Sequence, residues 1–151
     1  MIWLLRHGDA EEAAEDDAAR RLTETGERQA EVAGRALEAI DDGIGACLTS
    51  PKIRARDTAR IACRKLGVDV EETEMLRGGD FELERVAAQA GTQGWAGNVL
   101  LVGHEPDFSH AIEAATGARV KLKKGGLAGI ENGTLRALLT PAQLGAIATG
   151  P

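Results

Sequence analysis

Tyrosine is absent from the chain, and phenylalanine and tryptophan occur only twice each, so its core has to be built from aliphatic side chains. Cysteine is as scarce. Cys47 and Cys63 are the only two, too few for a disulfide framework, and both read as buried thiols of a reducing compartment. Proline is rare as well, with 4 residues against 19 glycines. No apolar run approaches the length of a membrane span, about 18 residues. No basic-then-apolar leader precedes the first apolar stretch. The expectation is a cytoplasmic chain with no membrane contact. Positive charge is in deficit too, since the formal net charge is −6. That argues against nucleic acid held by a general electrostatic attraction, but it leaves room for a local basic pocket. With no internal repeat, low-complexity run or linker, the 151 residues read as one domain over 1–151, sized to fold by itself. Nothing calls for an obligate oligomer, so the chain reads as a monomer.

Strand and helix patterns alternate along the chain. Ile2–Leu5 is a short apolar run of the kind that fills a strand covered on both faces. The acidic, alanine-rich stretch Asp9–Arg21 reads as a loop or frayed turn. Ala30, Ala33, Leu37 and Ile40 then recur at helical spacing, with Thr23 or Thr25 as cap. "ACLTSP" reads as a second strand, and Ser50–Pro51 as the cap and first residue of a helix from about Ile53 to Leu66, closed by Gly67. A third strand is expected within "VDVEETEML", a helix in "ELERVAAQA", a fourth strand in "NVLLVGH" and a helix in "PDFSHAIEAATG". Asn132–Gly133 joins "GGLAGIE" to "GTLRALL" as a hairpin, and "PAQLGAIATG" adds a last helical turn. The fold class that follows is α/β, a three-layer sandwich with a mostly parallel sheet, helices on both faces and an antiparallel pair near the end.

Three of these strands end in chemistry: "RHG" after the first, "SPKIR" after the second, "GHEP" after the fourth. In a parallel sheet those ends share one edge, where ligands of open α/β sheets bind. Arg6, His7, Ser50, Arg54 and His104 can therefore converge although they are far apart in sequence. Two guanidiniums and two imidazoles around a cleft suit a tetrahedral, multiply charged oxyanion. The amino ends of the helices after Ser50 and Pro106 add backbone donors on the same side.

The ordered set "LLRHGDA", "LTETGERQA", "LTSPKIRARDTA" and "LLVGHEPDFS" resembles the histidine phosphatase superfamily, whose fold is phosphoglycerate mutase-like. The short length further resembles its SixA-like branch of phosphohistidine phosphatases. The resemblance implies that His7 is the nucleophile, transiently phosphorylated, and that Arg6, Arg54 and His104 hold the phosphoryl oxygens, with Ser50 and Asp9 counted in the phosphate-binding set. It implies no metal and no cofactor. Many relatives draw a general acid from the segment after the third strand. Here Asp80 is preferred, because Gly78–Gly79 suits a loop over the cleft, with Glu74, Glu82 and Asp9 as alternatives. Arg54 and His104 stand only 50 positions apart, too few for the lid of the sugar-phosphate mutases. An open site of that kind favours a phosphatase acting on a phosphorylated protein of the histidine-phosphotransfer type, or on a small phosphoester.

Blander readings apply to other residues. Arg56 rivals Arg54 as the ligand of "KIRAR". His110 reads as an ordinary surface histidine, "KLKK" at 121–124 as a solvated turn, and Glu12, Glu15, Asp16 and Asp17 as a solvated acidic loop. Arg21 resembles a position near the site in SixA-like sequences. Two rival functions remain on the sequence. One is a metallohydrolase using His7, Asp9, His104 and His110, which the spacing and the adjacent arginine oppose. The other is a phosphate-binding module without turnover.

Overall fold

Strand β1 (Ile2–Arg6) buries Trp3, Leu4 and Leu5 almost completely, which places it in the middle of a sheet. In the computed structural model, which describes residues 1–41, 43–92 and 97–150, β1 is followed by α1 (Glu24–Ile40), β2 (Ile44–Thr49), α2 (Ile53–Leu66) and β3 (Val70–Glu72). Next come α3 (Leu83–Thr92), β4 (Asn98–Gly103), α4 (Asp107–Thr116), β5 (Leu127–Glu131), β6 (Thr134–Leu139) and α5 (Pro141–Ala148). The sheet order is β3-β2-β4-β1-β5-β6. The pairs β2–β3, β2–β4 and β1–β4 are parallel, whereas β5 pairs antiparallel with β1 and β6 antiparallel with β5.

Two apolar layers flank this sheet. On one face Trp3, Leu5, Cys47, Leu100 and Val102 meet the alanine-rich sides of α1 and α2, together with Leu144 of α5. On the other, Leu4, Leu48 and Leu101 meet Val86 of α3 and Phe108 and Ile112 of α4. The α/β three-layer reading is therefore the observed fold.

Several local expectations shift. Thr23, not Thr25, caps α1, its Oγ1 accepting the Gly26 N–H at 3.1 Å. Ile40 closes that helix 40% exposed instead of facing inward. Ser50 and Pro51 stand before α2, whose cap position is Lys52 without a side-chain cap. The third strand keeps only Val70–Glu72, and Glu74–Leu76 forms a single 3-10 turn. The acidic stretch holds another such turn at Asp17–Ala19 and an isolated bridge between Ala10 and Leu22.

The start of α1 is pressed against the chain that leaves β1. A Cβ on Gly8 would lie 2.6 Å from the Gly26 carbonyl oxygen, and one on Gly26 would collide with the carbonyl oxygen of Asp9. Gly26→Ala should therefore destabilise the fold by about 1–3 kcal/mol through overpacking. Gly145→Ala, on α5 with open space around it, should be neutral or gain about 0.4–1 kcal/mol. Urea unfolding of the two variants beside the native chain checks both.

Candidate active site

Register alone aligns the three chemical segments. Arg6 pairs with Gly103 across β1–β4, and Thr49 pairs with Val102 across β2–β4. The residues that follow are His7, Ser50 and His104, and they leave the same edge on three adjacent strands. Backbone bonds extend the ladder one step further, from His7 N–H to the Gly103 carbonyl and from Ser50 N–H to the Val102 carbonyl. The edge opens into a cleft of about 570 Å³ lined by Arg6, His7, Arg54 and His104 among others.

The two imidazole rings lie 5.2 Å apart between centroids, tilted by 57°. His7 donates through Nδ1 to the carbonyl of Gly8 at 2.7 Å. A carbonyl can only accept, so Nδ1 carries the proton and Nε2 keeps its lone pair. His104 is bonded at the opposite atom, Nε2 to Ser50 Oγ at 2.8 Å. Both rings are almost closed off from solvent, and burial disfavours their charged forms. The His7 pKa is pushed down to about 4 by desolvation first, with the Arg54 and Arg6 guanidiniums adding to the fall and the Gly8 bond opposing it. For His104, desolvation followed by the charges of His7, Arg54 and Lys52 lowers it to about 3.

The cations are held from outside the cleft. Arg6 donates through Nη1 to the Leu122 carbonyl at 2.8 Å. The Leu122 N–H is itself held by Glu105, which also takes the backbone N–H and hydroxyl of Ser109 at the start of α4. Arg54 donates through Nη1 to the Asp17 carbonyl at 2.8 Å and through Nη2 to its carboxylate at 3.1 Å. Nε of Arg6, Nε of Arg54 and Nδ1 of His104 are buried with no partner among the described residues. An unpaired buried donor is costly, more so on a charged group.

The structure brings Arg6, His7, Arg54 and His104 together around one cleft and leaves several other expected residues outside it. Ser50 is fully buried and meets His104 instead of the cleft. Asp9 is engaged elsewhere, by Thr23 at 2.8 Å and Lys124 at 3.3 Å. The Thr23 hydrogen bond first, and then Lys124 against the opposing effect of burial, holds its carboxyl below the ordinary value. Asp80 and Glu82 are exposed and absent from the lining; Gly78 and Gly79 reach the cleft in their place. The Gly79 N–H donates to Asp107 at 2.9 Å, and the next residue is exposed to solvent. Glu74 is exposed and paired with Arg77. Arg56 pairs with its neighbour Asp57 and does not line the cleft. His110 is exposed as expected, yet it stands on the cleft wall.

The acidic loop is more than a solvated stretch. The Asp17 carboxylate pairs with Arg54, Lys52 and Arg20 at 3.1, 3.3 and 3.2 Å. Burial raises the pKa of its carboxyl, and the hydrogen bonds from Arg54, Arg20 and Lys52 outweigh that and leave it well below the usual carboxylate range. Arg20 lines the cleft where Arg21 was expected; Arg21 is exposed, with its N–H bonded to Glu11. Lys52 and Lys124 are also on the wall, so "KLKK" contributes one of its lysines. Sequence reasoning missed Thr58 as well. Its buried hydroxyl accepts the Gly8 N–H at 3.0 Å and donates to the Arg54 carbonyl at 2.7 Å, tying the end of β1 to α2. A Thr one turn after Arg54 on the buried face of the helix was the available signal.

Comparison with known proteins fits this geometry. The model of the histidine phosphatase superfamily (branch 1) matches residues 2–98. An uncharacterized protein of Picosynechococcus sp. is 34% identical over 148 residues, spanning 89% of this chain and 87% of that one. A protein from Agrobacterium tumefaciens assigned as the phosphohistidine phosphatase SixA superposes with a TM-score of 0.78 at 26% identity, covering 93% of this chain and 97% of the other. The protein histidine phosphatase SixA, in complex with tungstate, superposes at 0.80 with 22% identity over 95% and 98% of the two chains. The chain belongs to the histidine phosphatase superfamily, and it is a phosphatase. Among the described residues no helix is long and apolar enough to cross a membrane.

The depressed histidines give the native state a pH signature. Between about 6.5 and 4 the unfolded chain takes up protons on these imidazoles and the native chain does not. The stability they contribute is complete above about pH 6.5 and is lost as pH falls toward 4. Ring resonances of His7 and His104 should stay those of neutral imidazole at pH 6 and begin to titrate near pH 4 and below. Urea unfolding should weaken from pH 7 to pH 4.5, with a shallower slope in the His7→Gln, His104→Gln double variant.

Proposed function

We propose that the chain removes the phosphoryl group from phosphohistidine carried on another protein, working through a covalent phosphohistidine of its own. The observation that carries this reading is the His7 Nδ1 bond to the Gly8 carbonyl. It leaves a neutral imidazole whose Nε2 lone pair has no hydrogen-bond partner among the described residues, in a cleft walled by Arg6, Arg54, Lys52 and Arg20. Nε2 attacks phosphorus, the substrate's P–N bond breaks, and the phosphoryl group passes to His7 while the guanidiniums neutralise its oxygens. Water then attacks the phosphorylated His7, releasing inorganic phosphate and restoring the ring. Phosphoryl transfer asks mainly for positioning and charge neutralisation, and these side chains supply both.

The substrate class follows from the acids. The two carboxylates on the cleft wall, Glu105 and Asp107, are already engaged by backbone N–H groups, and Asp80 lies off the wall. An alkoxide leaving group needs a proton at the departing oxygen. An imidazole leaving group is instead activated by protonation at its distal nitrogen, which faces water in an open cleft, so a P–N substrate suits this site. Among the described residues no group of three or more His, Cys, Asp or Glu side chains is placed to hold a metal ion.

A panel comparing free phosphohistidine, a phosphorylated histidine-carrier protein and sugar phosphates tests the assignment, with the carrier protein expected to turn over fastest. Preference for a sugar phosphate would reassign the substrate to small esters. His7→Ala should abolish turnover and the trapping of an acid-labile, alkali-stable phosphoenzyme. Arg54→Ala should slow turnover by about 10²–10³; a larger loss in Arg56→Ala would move the role to that residue. Full inhibition by EDTA with rescue by a divalent ion would overturn the metal-free scheme.

A further inference from the structure

Ser50 was expected among the phosphate ligands, but its hydroxyl is fully buried behind His104. A hydrogen-bond account of that hydroxyl fixes more than its location. Ser50 Oγ already accepts the backbone N–H of Lys52 at 3.1 Å, and its one other partner among the described residues is His104 Nε2 at 2.8 Å. If His104 carried its proton on Nε2, Oγ would accept twice, and its own hydrogen would be stranded in a fully buried site. If Oγ donates to Nε2, the Lys52 N–H, the Ser50 hydroxyl and Nε2 are all satisfied, and the imidazole proton must sit on Nδ1, the one group left for a ligand to meet. Nδ1 is buried and has no partner among the described residues, on a ring that lines the cleft.

We infer that Ser50 is a positioning residue that holds His104 in the Nδ1–H form, so that a neutral imidazole offers an N–H to a phosphoryl oxygen. This rests on the function proposed above for its catalytic consequence, but not for the tautomer itself. The two histidines then share one tautomer and turn opposite ends to the anion. His7 has Nδ1–H tied to the Gly8 carbonyl and presents a lone pair, whereas His104 has Nε2 tied to Ser50 and presents a donor. One hydroxyl thereby separates nucleophile from donor in a pair of chemically identical rings. The assignment also explains how His104 assists without adding charge. A protonated His104 would lose the Ser50 hydroxyl as a donor and stand beside Arg54 and Lys52, whose charges already disfavour it.

Long-range nitrogen–proton correlation spectra of the histidine-labelled native protein at pH 7 read the tautomer directly. The expected pattern is a protonated Nδ1 and a bare Nε2 on His104; a protonated Nε2 overturns the inference whatever the protein hydrolyses. In Ser50→Ala the two tautomers should become mixed. Its kcat on a phosphohistidine peptide should fall by about 10² while KM changes little, as for loss of one aligned oxyanion donor. In a His104→Gln background the same substitution should cost less than twofold, because its route of action is gone. An equal loss in both backgrounds means that Ser50 serves the fold alone and overturns the catalytic half of the inference. The expected spectrum with no turnover of any phosphohistidine would instead count against the proposed function and leave the tautomer standing.

Discussion

Everything at the cleft depends on the way the chain leaves β1 at Gly8. Its carbonyl accepts the His7 Nδ1–H, its amide is held by Thr58, and its Cα lies against Gly26 at the start of α1. A side chain at this position would push α1 away and loosen the turn that sets the ring of His7. The motif therefore combines a reactive side chain with a residue chosen for having none. The strand before it is buried on both faces and supplies the rigidity; sites on strand ends inherit the precision of the sheet.

Around that fixed ring the electrostatics are arranged to stay incomplete. Five cations reach the cleft wall: Arg6, Arg20, Lys52, Arg54 and Lys124. Asp17 and Asp9 engage some of them, and Glu105 braces the segment to which Arg6 is bonded. These acids keep the cations in place when the site is not neutralised by a substrate. They do not satisfy Nε of either Arg6 or Arg54. Burial meanwhile keeps both imidazoles neutral, so the positive field comes from guanidinium and ammonium groups alone. On the proposed reading, His7 in such a field keeps its lone pair, which is the condition for attack at neutral pH.

Much of this was legible in the chain, and the reason is topological. Short apolar runs that end abruptly in Arg-His-Gly, Ser-Pro and Gly-His-Glu-Pro can share an edge only if the strands are parallel, and the β1–β4–β2 register confirms that they are. What was not legible depends on side-chain direction within loops. Asp80 and Gly79 are neighbours, yet one hydrogen bond from Gly79 to Asp107 decides which of them meets the cleft. Arg20 and Arg21 are likewise adjacent, and the bridge of Ala10 with Leu22 together with the turn at Asp17–Ala19 selects the first. Ser50 carries both signals of a helix cap, but a fully buried hydroxyl facing an imidazole has a stronger claim on it than the helix does. No periodicity in the sequence encodes choices of this kind.

The charge balance of the whole chain bears on how a substrate arrives. At −6 overall, the protein repels acidic partners at long range, but in physiological salt that repulsion is screened beyond roughly 8 Å. Within that distance the cations of the cleft act through a partly desolvated site, where screening is weak. A phosphoryl group must therefore be presented close before it is attracted, which favours one projecting from a side chain over one recessed in a fold. Long-range steering, which serves enzymes with a broadly positive face, contributes little here. On the proposed reading, contact-range complementarity with a compact dianion does the selecting instead.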